Sequence, residues 1–197
     1  MISHSIAWTD TTKKPTGKAL IAKIVSESRM VVHHHRGADG FLSLLYIELH
    51  GAIAAVPPLK NSKIPGKNFP NPDFISKLQA MDALFNNAIE DQLLGGYFGF
   101  GTLPVALAFI PGARNRKFDL VNGLETVQDW LEPRTKAVGR NKYGWGIGVI
   151  ADDAQIVPVT LHSAQLGAPV PYTRIVVRRW SDVRREAAEF VTGAFLP

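Results

Sequence analysis

The chain has 197 residues, 46% of them hydrophobic, which suits one ordinary domain with a real core and is too little for two. It contains no cysteine, so disulfides, thiolate zinc sites and thiol nucleophiles are excluded. A net charge of +5 favours an acidic partner without specifying one.

No apolar run reaches the roughly 18 residues needed to span a bilayer. Met1 to Thr12 is polar and lacks the apolar centre of a signal peptide, so a soluble cytoplasmic protein is expected.

Residues 1–40 carry Lys13, Lys14, Lys18, Lys23, Arg29 and Arg36 and read as a basic N-terminal extension. It would contribute a strand at Lys23 to Val25 or at Met30 to His33, or remain an arm that orders on a partner. Within it, His33-His34-His35 reads as a solvated or phosphate-facing loop, because consecutive residues do not face one way and rarely share a metal. A single domain is expected over residues 41–197. Phe41 to Val56 predicts a strand, with Leu45, Ile47 and Leu49 alternating against Tyr46, Glu48 and His50, and Pro57-Pro58 ends it. Lys60-Asn61-Ser62-Lys63 then opens an extended basic loop.

Asn71-Pro72 reads as a helix cap and first helical position, since proline needs no N–H there. Ile75, Leu78, Met81, Leu84, Phe85, Ala88 and Ile89 follow at helical spacing. Gly95-Gly96-Tyr97-Phe98-Gly99-Phe100-Gly101 lacks the lysine and helix of a phosphate-binding P-loop and reads as a turn. A short strand is predicted from Pro104 to Ile110, then a basic tip at Arg114-Asn115-Arg116-Lys117. A second helix is predicted over roughly Asn122 to Leu131, stopped by Pro133. Gln155 to Leu161 and Tyr172 to Arg178 read as strands of an antiparallel hairpin, and a last helix runs from a Ser181 cap to about Thr192. This order predicts an α/β (α+β) fold, a mixed β-sheet with helices packed against it.

Carboxylates are scarce in this basic chain, and Asp119, Glu125, Asp152 and Asp153 fall at element boundaries where they could gather round a hard divalent cation. On the second helix, Leu120, Leu124, Val127 and Leu131 share the core face, while Asn122, Glu125 and Asp129 lie on another side, clear of the core. A plainer account serves equally: Asn122 and Glu125 fit a capping box, Asp119 is a turn residue, and Asp152-Asp153 is the turn before a strand. The residues alone leave both readings open.

The order of motifs resembles the RusA family of Holliday junction resolvases over about residues 44 to 180. It rests on Pro57-Pro58-Leu59-Lys60-Asn61-Ser62-Lys63 after the first strand, Asp119-Leu120-Val121-Asn122 at a helix start, Asp129-Trp130-Leu131 further along, and Asp152-Asp153-Ala154-Gln155-Ile156 before a strand. The resemblance implies a homodimeric, magnesium-dependent endonuclease (manganese being an alternative ion) that acts on branched DNA, in a bacterium or a phage-infected cell. It makes Asp119 and Asp153 metal ligands, with Asp152 in support. Lys60, Asn61 and Lys63 would lie near the DNA.

Two positions depart from the family pattern. Val121 stands where a second aspartate is expected, and Glu125 where a lysine is expected. Glu125, one helical turn from Val121, then becomes the candidate replacement carboxylate and third catalytic residue. Arg114, Arg116, Lys117, Arg140 and Lys142 are the candidate DNA-binding residues that would supply positive charge. The alternative is a catalytically impaired DNA-binding or scaffold protein on the same fold.

Overall fold

The structure is a computed structural model, and it describes residues 17–56, 63, 71–90, 98–111, 120–133, 145–161 and 172–193. In chain order the elements are α1 (Gly17–Ser26), β1 (Ser28–Arg36), β2 (Leu42–Gly51), α2 (Pro72–Ile89), β3 (Val105–Ile110), α3 (Leu120–Leu131), a single 3-10 turn (Asp153–Gln155), β4 (Ile156–Leu161), β5 (Tyr172–Arg179) and α4 (Trp180–Gly193). Among the described residues, four helices and a five-stranded mixed sheet make an α+β fold, as the order of elements predicted. Among the described residues no helix is long and apolar enough to cross a membrane.

The sheet runs β1-β2-β5-β3-β4, antiparallel except for β3 beside β4. Strand alternation decides its two faces. Met30 and Val32, then Leu45, Ile47 and Leu49, then Ile175 and Val177, then Val105, Leu107 and Phe109 are buried on one face. Ile24, Phe74, Leu78, Met81, Phe85, Leu124, Val127 and Trp130 from α1, α2 and α3 complete that core. Each such side chain contributes roughly 1.5–3 kcal/mol on leaving water. On the other face α4 meets β3 and β5, and an ion pair from Arg178 to Glu186 ties it there.

Local chemistry explains most boundaries. Asn71 caps α2 by accepting from the Asp73 amide at 3.0 Å, with Pro72 at the first helical position, as read from the sequence. Gly51 ends β2 at φ +75°, and a Cβ there would stand 2.1 Å from the Glu27 carbonyl oxygen, so only glycine fits.

Several expectations need correction. Lys23 to Val25 is helical, within α1, while Met30 to His33 is in β1. β1 is paired with β2 along its length, so Ser28–Arg36 belongs to the main sheet, and the expected boundary at residue 40 falls in the turn of a hairpin. His33, His34 and His35 are strand residues in β1, not a loop. β4 and β5 are not neighbours: β3 lies between them. Apolar β3 needs a partner on each side, whereas β4, with Pro158 and exposed Val157 and Val159, suits an edge. α3 starts at Leu120 and α4 at Trp180, so Asn122 and Ser181 lie inside their helices and cap neither.

Candidate metal centre

The site is built where α3 ends. The last carbonyls of a helix have no partner within it. Here Ile147 donates to the Trp130 carbonyl at 2.9 Å, Gly148 to Glu132 at 3.1 Å and Val149 to Leu131 at 2.9 Å. This seals α3 and turns the chain back so that Ala151 to Asp153 passes beside Glu132. From beneath, the buried Asp82 of α2 accepts from the Trp130 indole at 2.7 Å and from the Gly146 amide at 3.1 Å. One carboxylate thus anchors both arms of the turn.

Asp152 and Gln155 then form a capping box around the 3-10 turn. Asp152 accepts from the Ala154 amide at 2.9 Å, and Gln155 Oε1 accepts from the Asp152 amide at 3.1 Å. Gln155 Nε2 donates to the carbonyls of Gly101 and Leu103 at 3.0 and 2.9 Å, pinning the turn to the loop that enters β3. The Asp153 amide donates to Glu132 Oε1 at 2.7 Å.

The outcome is an acidic cluster in which oxygens of Glu132, Asp152 and Asp153 lie within 4.8 Å of one another. Glu132 and Asp152 are half-buried and Asp153 is exposed. An all-oxygen, all-carboxylate set at this spacing fits a hard divalent cation. Capping explains part of the same arrangement, since one oxygen each of Glu132 and Asp152 is engaged by a backbone amide.

The expected residues separate as follows. Asp152 and Asp153 are brought together, and Glu132 joins them. Glu125 is exposed in the middle of α3 and does not belong to the cluster. Val121 is 57% exposed in the first turn, with Leu131 ten residues along, about 15 Å at 1.5 Å per residue. The helix start and the acidic cluster therefore occupy opposite ends of α3. Asp129, expected clear of the core, is buried, and Leu124, Val127 and Leu131 are buried as expected. Lys63 is exposed. Asp119, Lys60, Asn61, Arg114, Arg116, Lys117, Arg140 and Lys142 lie outside the described residues.

Glu132 carried no motif in the sequence. Its one signal is position, immediately after an apolar helical period and before Pro133. Asp152-x-x-Gln155 carries the signature of a capping box in the sequence. Comparisons with models of known protein families and with curated proteins find no match to this chain. The likeness to the RusA family therefore stands on the quoted motifs.

Proposed function

We propose that the protein is a structure-selective endodeoxyribonuclease of the RusA type, acting on four-way DNA junctions by magnesium-dependent phosphodiester hydrolysis. The observation that carries this reading is the meeting of Glu132 with Asp152 and Asp153. Glu132, Asp152 and Asp153 would hold a divalent cation, which when bound would supply Lewis-acid chemistry for phosphodiester hydrolysis. The chain's own part is positional. Asp82 and Gln155 fix the backbone on which the carboxylates stand, and the Asp153 amide orients Glu132. The resemblance adds a homodimer as the working form, one subunit for each symmetric strand. The shape of a junction, rather than its bases, would be recognised through backbone contacts.

The decisive experiment incubates the protein with a labelled four-way junction and Mg²⁺ or Mn²⁺, beside Asp153→Asn and Glu132→Gln. Metal-dependent nicking by the wild type, reduced at least about a hundredfold in each variant, is the expected result. Nicking that survives in the double variant overturns the assignment.

A second reading has its own observation. Val121 offers no ligand atom, and the helix start that should carry catalytic carboxylates is a helix length from the cluster. On that reading the protein binds junctions in a salt-sensitive manner and cuts none with any divalent ion.

A further inference from the structure

The sheet face opposite the core carries cross-strand rows of rings and cations over β1, β2 and β5. Arg29, His50 and Tyr172 form one row, Val31, Glu48 and Arg174 the next, and His33, Tyr46 and Val176 the third. The rings pair off: His50 and Tyr172 have centroids 6.3 Å apart, His33 and Tyr46 6.0 Å. The Arg174 guanidinium lies 4.5 Å over the Tyr172 ring. It is held there by Glu48, which also accepts from the Tyr46 hydroxyl and lies 2.7 Å from His50 Nε2. The platform is thus oriented before anything binds. His33 is exposed, and Arg174 keeps 38% of its side chain accessible.

We propose that this face binds single-stranded DNA, stacking unpaired bases on the His50–Tyr172 and His33–Tyr46 ring pairs. Bases stack on aromatic rings whatever their sequence, and a guanidinium over a ring extends the same surface. The ring pairs are four residues apart along the strands, about 13 Å, with the Glu48–Arg174 row between them. In a duplex each base is already stacked between its neighbours, so only a strand with splayed bases can use both pairs. Charge agrees. Among the described residues Glu48 is the only carboxylate that β1, β2, β3 and β5 place on this face. Arg174 and His50 are matched by Glu48 and Arg178 by Glu186, leaving Arg29 and two imidazoles (His33 and His35) to meet a phosphate backbone. The choice of DNA over RNA rests on the nuclease reading, whereas the stacking does not.

The test is fluorescence anisotropy of labelled oligo-dT with the full chain in EDTA at low salt, where no metal-dependent cutting occurs. Wild type binds. Tyr172→Leu and His33→Ala each weaken binding about tenfold, with circular dichroism unchanged, and an abasic strand of equal length binds correspondingly less well. The proposal is overturned by an unchanged affinity in the folded double variant, by an abasic strand that binds as tightly, by tighter binding of the matching RNA, or by polyglutamate competing as well as oligo-dT. Asp153→Asn should bind the strand as wild type does. Loss of cutting and loss of stacking are therefore read separately.

Discussion

Glu48 and the Glu132–Asp152–Asp153 cluster are carboxylate sites built on the same sheet, and they differ in what faces them. Around Glu48 stand a phenol, a guanidinium and an imidazole. Partial burial works against its charge, but hydrogen bonds from Tyr46, Arg174 and His50 outweigh that and hold its pKa at about 2. At the other site three carboxylates lie within 4.8 Å, oriented by backbone amides, and their mutual repulsion is the kind of cost that a bound cation relieves. A carboxylate already matched by a guanidinium serves as a brace. Carboxylates gathered against one another are a candidate ligand set.

The contrast breaks most severely by removing what supports the acidic end. Asp82→Ala leaves the Trp130 indole N–H and the Gly146 amide, both buried, without the acceptor they now share. The expected loss is about 3 kcal/mol of stability, measured by urea denaturation, with weaker Mn²⁺ binding at the cluster. Asp82→Asn keeps one carbonyl oxygen and should lose less. If Asp82→Ala costs under about 1 kcal/mol, the carboxylate does not anchor the turn.

The brace is tested by pH. Glu48 is depressed from an ordinary 4.5 to about 2, so its stabilisation is fully present above about 4.5 and is lost as pH falls through 2. At about 1.4 kcal/mol per unit, and discounted for the part of the side chain still in water, this amounts to about 2 kcal/mol. Wild type should therefore lose stability over that window, and Glu48→Gln should lack that part of the slope. An equal acid slope in both proteins would show that Glu48 contributes nothing through its charge.

These two sites were unequally legible in the sequence. The alternation of Leu45, Ile47 and Leu49 against Tyr46, Glu48 and His50 gave both faces of β2, because a period of two is a local property of a strand. Likewise Asn71-Pro72 marked the start of α2, since a cap is chemistry between near neighbours. What failed was non-local. Neighbouring strands in sequence suggested a β4–β5 hairpin, yet sheet order depends on which strand needs two partners, and β3 takes the place between them. The Asp152-Asp153 pair was visible as a turn and as a resemblance. Glu132 was not, because it reaches the pair only through the return of residues 147–150 along the end of α3. Glu125 became the candidate replacement carboxylate by counting one helical turn from Val121, but counting cannot say which end of that helix the aspartates approach.

The smallest expected effect tests that last point. Val121 is 57% exposed in the first turn of α3, where a carboxylate meets the positive end of the helix dipole. Val121→Asp should leave stability unchanged within about 0.5 kcal/mol, with any shift towards stabilisation. Its new carboxylate would stand about 15 Å along the axis from Leu131, beyond reach of the Glu132–Asp152–Asp153 cluster in the same chain. Cation affinity, followed by calorimetry with Mn²⁺, should therefore change less than about twofold. A tenfold gain would mean that the helix start and the cluster bear on one ion after all, by bending of α3 or by supply from a second copy. Because the substitution is nearly silent for folding, any such gain reports on the candidate metal centre alone.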